Sequence, residues 1–412
     1  MQLVDPILTW HQELTDIRRD LHAHPELGYQ ETWTSERVAR LLEGWGIPIH
    51  RGLAGTGVVG IVEGARGTAG GAIGLRADMD ALPMQEVNTF AHASRNPGRM
   101  HACGHDGHTA MLLGAARYLA RHRDFDGIVY LIFQPAEEGG GGAARMIREG
   151  LFERFPMQAV FGMHNWPGLP AGHFGLTPGP IMGSSNEFAV KLRGRGAHAA
   201  MPHMGADPVI AAVQMAQSLQ SIVTRNKDPL DTAVLSVTQI HAGSADNVIP
   251  TEAELRGTVR TFALHTLDLI EQRMGEIVRH TAAAFDVQAE FDFHRNYPPT
   301  INHPAEAALA ADVLRGLVGP ERVNDRVAPS LAAEDFAFML ADVPGCYVWL
   351  GVGDGEHRVA GHGMGPCTLH NGSYDFNDDM LPVGASYWVR LVEHWFAVGG
   401  VQGAGLAAGA QV

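Results

Sequence analysis

The chain has 412 residues, more than a single hydrophobic core usually organises, so two domains are expected, and a hydrophobic content of 45% supplies both cores. A formal charge of -15 disfavours nucleic acid and anionic membranes as partners. Three cysteines are too few for a disulfide framework, the first twenty residues carry acids where a secretory leader is basic and then apolar, and no run of about 18 apolar residues occurs. These features predict a cytoplasmic enzyme that acts on small molecules.

Residues 6–24 and 31–46 carry two amphipathic helical patterns, the second closed by Gly44 and Gly46. Short β-type runs follow: "GVVGIVEG", "GAIGLRADMDALP", "GIVYLIFQPAEEG" and "AVFGMHNWP", with helical stretches such as "HTAMLLGAARYLARH" between several of them. Strands alternating with helices predict an α/β fold, a mixed and mostly parallel sheet with flanking helices. Three of these runs end alike. Asp78 and Asp80 follow "AIGL", Glu137 and Glu138 follow "VYLIF", and His164 follows "VFGM". Ligands in open α/β sheets gather outside the carboxyl ends of strands, so these side chains are expected to converge.

From about residue 184 the pattern changes to strand, helix, strand, strand, helix, strand, the ferredoxin-like order. After "YPPT" the α/β pattern resumes and runs to a last helix near "SYWVRLVEHWFAV". Residues 184–295 are therefore expected to form a second domain inserted into a first one made of 1–183 and 296–412. The Gly/Ala-rich tail from 399 is expected to be disordered.

Four places supply metal donors: Cys103 and His105 in "HACGHDGH", Glu137 and Glu138 in "FQPAEEGGGG", His164 in "FGMHNWP", and His370 in "TLHNGSYDFNDD". Each alone has a bland reading, as a buried thiol, a solvated helix start, a core histidine or a turn residue; together and in this order they point to a metal. His101 and His108 are read as structural or supporting. The run "EEGGGGAAR" lacks the Gly-Lys-Ser/Thr ending of a phosphate loop. Two other readings compete: Cys103 as a thiol nucleophile with His105 as its base, or a catalytically silent metal- or ligand-binding protein.

The segments "RADMDALP", "HACGHDGHTA", "QPAEEG", "GMHNWP", "RGRGAHAAMPHMGADP", "GSADNVIP", "GTVRTF", "AAEDFAFM" and "LHNGSYDFND" together resemble the aminoacylase-type metallopeptidases. The nearest branch contains hippurate hydrolase, auxin–amino-acid-conjugate hydrolases and N-acetyldiaminopimelate deacetylase, and the likeness runs over nearly the whole chain. The resemblance implies a zinc-peptidase-like catalytic domain, an inserted lid that also mediates dimerisation, and a homodimer or homotetramer. It implies two divalent ions (Zn, Mn, Co or Ni) held by Cys103, His105, Glu138, His164 and His370, with Cys103 bridging. Glu137 would be the general base acting on a water between the ions, and Asp80 would orient a ligand imidazole from behind. His198 would steady the oxyanion of the tetrahedral intermediate, while Asn247 and Arg260 would hold the substrate carboxylate. The implied reaction is hydrolysis of an N-acyl amino acid, hippurate-like or N-acetylated, with dipeptide cleavage as the neighbouring possibility.

Overall fold

The computed structural model describes residues 1–401; from 402 onward, the tail expected to be disordered lies outside the described residues. The chain divides into two compact units. One comprises Met1–Ile181, Ile301–Ala328 and the chain from Asp335; the other comprises Met182–Thr300 and Pro329–Glu334.

The first unit opens with α1 (Asp5–Thr9) and α2 (His11–Ala23), which divide at Trp10 the stretch expected to be one helix. Trp10 leaves helical geometry (φ -96°, ψ 7°), and its indole lies 4.1 Å beneath the Arg117 guanidinium. Then come α3 (Thr32–Gly44), β1 (Ile49–Leu53), β2 (Gly57–Glu63), β3 (Ala72–Asp78), α4 (His105–Leu119), β4 (Ile128–Gln134), β5 (Ala159–Trp166) and β6 (Phe174–Gly175). The second unit holds β7 (Ser185–Arg193), α5 (Pro208–Ser221), β8 (Ala233–Ala242), β9 (Glu252–Thr261), α6 (Leu264–Ala284) and β10 (Gln288–Tyr297). The first unit resumes with α7 (Pro304–Val318), β11 (Val323–Asn324), β12 (Gly345–Gly351) and α8 (Leu381–Val398).

The large sheet runs β1-β2-β4-β3-β5-β12-β6-β11. Its centre, β4-β3-β5-β12, is parallel, and antiparallel pairing is confined to β1–β2, β2–β4 and β12–β6. Buried on both faces, the central strands read as continuous apolar runs, which is why the sequence shows them. The two-residue strands β6 and β11 are too short for any period, and the mixed "IHRGL" of β1 is only partly buried. Helix α4 is buried almost all round; Met111, Leu112 and Leu113 are fully inaccessible, and each such burial contributes about 1.5–3 kcal/mol.

The second unit is a four-stranded antiparallel sheet in the order β8-β9-β7-β10. Alternating residues Phe188, Val190 and Leu192 of β7 meet Ala211, Met215 and Leu219 of α5 and Ile270 and Met274 of α6 in a core of their own. Asp207 caps α5 by accepting from Val209 N at 2.8 Å, with Pro208 at the first helical position. Among the described residues, no helix is long and apolar enough to cross a membrane.

Candidate metal centre

Because β3, β4 and β5 are parallel, their carboxyl ends lie on one side of the sheet. Asp78 ends β3, the Glu137–Glu138 turn follows β4, and His164 lies near the end of β5. Cys103 and His105 reach the same place across Gly104, at the start of α4. Gly104 adopts φ +90°, and a β-carbon there would come within 2.5 Å of Asn165 Nδ2, so only glycine fits. His370 also has a left-handed backbone (φ 57°), and its amide donates to Ala102 O at 2.8 Å, which ties its loop to the Cys103 segment.

Two donor sets overlap. Ligand atoms of Cys103, His105 and His164 lie within 4.8 Å of one another, as do those of Cys103, Glu138 and His370. Cys103 belongs to both. The imidazoles are turned for coordination: His164 Nδ1 donates to Asn165 O (2.6 Å), leaving Nε2 3.4 Å from Cys103 Sγ. His105 Nδ1 donates to Asp80 O (2.9 Å), and its buried Nε2 has no hydrogen-bond partner. His370 Nε2 lies 3.1 Å from Glu138 Oε1.

The electrostatics suit a cation. Burial alone would lower the His105 pKa, but Asp78 and Asp80 raise it to about 10, an excess of negative charge that a divalent ion offsets. Burial, then the charges of Glu138 and Glu137, push the Cys103 thiol well above its ordinary value. An unassisted thiolate nucleophile is therefore disfavoured. A sulfur, imidazole nitrogens and a carboxylate with an orphaned, buried His105 Nε2 fit divalent transition metals.

Asp80 does more than face an imidazole. Its carboxylate accepts from Glu137 N (3.0 Å) and Glu138 N (2.9 Å), fixing the turn that sends the two side chains apart. Glu137 Oε1 accepts from the Asp335 amide at 3.3 Å. The Asp335 carboxylate in turn accepts from Arg76, Gln134 and the Ala143 amide. His108 donates to Asp78 Oδ1 (2.6 Å) and accepts from Asn165 N (2.9 Å), so both ring nitrogens are used and it supports rather than ligates.

Several supporting residues escape a reading of the sequence. Arg76 is fully buried, with Asp78 Oδ2 at 2.8 Å and Asp335 Oδ1 at 3.1 Å; a charge inside the apolar run of β3 was the available signal. Asn165 donates to Cys103 O at 2.6 Å and accepts from the Tyr374 hydroxyl. On α2, Arg18 and His22 lie one helical turn apart and reach Asp106, His22 Nδ1 at 2.8 Å. Polar residues on a helix's buried face were the clue there.

The other three candidates belong to the second unit. His198 pairs with Val248 across a two-residue ladder and shares a cavity of about 560 Å³ with Asn247. The Ala200 amide donates to His198 Nδ1 (3.1 Å), so with Nδ1 accepting, the ring proton lies on Nε2. Arg260 lies on β9, half-buried and in no ion pair among the described residues; burial lowers its pKa while Glu187 raises it.

The model of peptidase family M20/M25/M40 matches residues 74–394. The chain is 39% identical over 391 residues to hippurate hydrolase of Campylobacter jejuni, covering 95% of this chain and 98% of that protein. It is 42% identical over 350 residues to N-acetyl-L-cysteine deacetylase of Bacillus subtilis, covering 85% and 82%. The crystal structure of a dinuclear metal-binding peptidase of the M20 family from Bacillus subtilis superposes with a TM-score of 0.81 at 34% identity, covering 94% of this chain and 99% of the other. With the family model spanning more than half its length, the chain belongs to peptidase family M20/M25/M40.

Proposed function

We propose that this protein is a metal-dependent amidohydrolase that cleaves N-acyl amino acids to a carboxylic acid and a free amino acid. The carrying observation is the meeting of two donor sets at Cys103 beside the Glu137–Glu138 turn. Relatives named for hippurate hydrolysis and N-acetyl-L-cysteine deacetylation support the substrate class. Cys103, His105 and His164 would hold one divalent ion and Cys103, Glu138 and His370 the other; Zn, Mn, Co and Ni all suit the donors. When bound, such ions polarise a carbonyl oxygen and lower the pKa of water toward about 7.

Glu137 takes the proton of the attacking water and delivers it to the nitrogen of the leaving amine as the C–N bond breaks and the C–O bond forms. Asp80 and Asp335 keep that carboxylate aimed. His198, with its proton on Nε2, is proposed as the oxyanion donor, and Asn247 and Arg260 as the anchors of the substrate carboxylate; the lack of an ion pair at Arg260 among the described residues supports this. We further propose a homodimer in the cytoplasm; three unpaired, buried cysteines support a reducing compartment.

The test is turnover of hippurate, N-acetyl amino acids and dipeptides by protein stripped with a chelator and reloaded. Stripping should abolish turnover of N-acyl amino acids and reloading restore it. Glu137→Gln should retain both metals and lose about 10²- to 10⁴-fold in kcat. Near-normal kcat in that variant removes Glu137 as the base, and cleavage of dipeptides alone replaces the substrate class.

A further inference from the structure

The turn that carries Glu137 and Glu138 begins at Ala136, whose φ of +54° lies in the left-handed region that residues with a β-carbon seldom occupy. Such a conformation persists only where surrounding contacts over-determine it. Glu31, in the segment "HPELGYQET" near the N-terminus, makes the first of these contacts. Its fully buried carboxylate accepts from the Ala136 amide at 2.8 Å through Oε1 and from the Thr56 hydroxyl at 2.8 Å through Oε2. The same segment holds the turn twice more. Tyr29 donates to Gly140 O at 2.7 Å, and Gly28 packs so closely on Ala136 that a β-carbon there would sit 3.0 Å from the Ala136 side chain. With Asp80 on the next two amides, buried carboxylates hold three consecutive N–H groups, at residues 136, 137 and 138.

We propose that Glu31 is a positioning residue for the hydrolysis: by clamping the Ala136 amide it keeps the left-handed bend that aims the Glu137 carboxylate. The proposal rests on the reading of Glu137 as the general base. A bound metal would itself help to secure Glu138, whereas Glu137 is aimed by the protein, through its turn and the Asp335 amide at 3.3 Å, so loss of the clamp falls on proton transfer more than on metal uptake. Burial, then the nearby Asp80, raise the Glu31 pKa to about 7, against the hydrogen bonds from Thr56 and the Ala136 amide that lower it.

The experiment compares wild type, Glu31→Ala, Glu31→Gln, Thr56→Val and the double variant Glu31→Ala/Ala136→Gly on one N-acyl amino acid, with metal content measured for each. Glu31→Ala should lose about 10²-fold in kcat, with KM and bound metal unchanged within about twofold. Glu31→Gln should stay within about threefold, because the amide oxygen still accepts from Ala136 N and the NH₂ can donate to Thr56. Glycine enters the left-handed region freely, so the double variant should recover roughly tenfold of the loss. Amide exchange across residues 135–142 should rise in Glu31→Ala and not in Glu31→Gln. If Glu31→Ala does not fold, Thr56→Val carries the test, with an expected kcat loss of about threefold to tenfold at constant KM. The proposal falls if Glu31→Ala keeps its kcat, if metal or KM changes in step with kcat, or if Glu31→Gln is as impaired as Glu31→Ala. A parallel Glu137→Gln control separates this from failure of the base assignment: if that variant stays active, the base reading is wrong whatever Glu31 does.

Discussion

Glu137 and Glu138 are chemically identical neighbours, and their surroundings alone separate them. Glu138 faces Cys103 and His370, while Glu137 is turned toward the Asp335 amide. Behind that pair lies Arg76, the buried cation that joins Asp78 behind the histidines to Asp335, whose amide holds Glu137. Burial opposes ionisation of Asp78, but His105, His108 and Arg76 outweigh it and hold its pKa well below the usual range. Arg76→Met would leave two buried carboxylates short of a partner, and urea denaturation should register a loss of about 3–5 kcal/mol. A loss below about 1 kcal/mol would mean that the carboxylates find other compensation.

Among the elements, α2 and the loop between β12 and α8 are joined by charge. Arg18 reaches Asp375 at 2.8 Å and Asp378 at 2.6 Å, and His362 Nε2 lies 3.1 Å from Asp375 Oδ2. The hydrogen bond to Asp375 raises the His362 pKa against the opposing effect of partial burial. A folded-state pKa above the unfolded one stabilises fully below about pH 6.5, and the contribution fades as pH rises through the raised value. His362→Ala should therefore cost about 1–2 kcal/mol at pH 6 and progressively less toward pH 8.5. Melting curves across that range check it; an equal loss at every pH would assign His362 to packing alone. The same loop carries His370, so the contacts that anchor it to the sequence-distant Arg18 also bear on a candidate metal ligand. That network was not legible from the chain, because residues 18 and 375 show no mutual pattern until the fold pairs them.

For the whole molecule, the inserted unit brings its own core and an open sheet edge. Strand β8 is that edge, with Ile240 exposed, and on α5 Ile210 and Val213 stand 53% and 54% accessible, one turn apart. Exposed apolar residues beside an unpaired edge support the proposed homodimer. Light scattering should give twice the 44.3 kDa chain mass, and Ile210→Glu/Val213→Glu should shift the protein to that single mass. A wild-type monomer would refute the dimer.

The chain alone contained the α/β alternation, the ferredoxin-like order of the insertion and the candidate donors Cys103, His105, Glu137, Glu138, His164 and His370, while the choice of Glu138 over Glu137 came from the family resemblance. These are legible because hydrophobic period and donor chemistry are local properties, and buried parallel strands announce their polar ends. The roles of Arg76, Asp335, Asn165, Glu31 and the Arg18–His22 pair were decided only by tertiary structure. Each works through a partner distant in sequence, and a lone arginine or asparagine says nothing of its function until folding removes water and leaves one specific group to satisfy it.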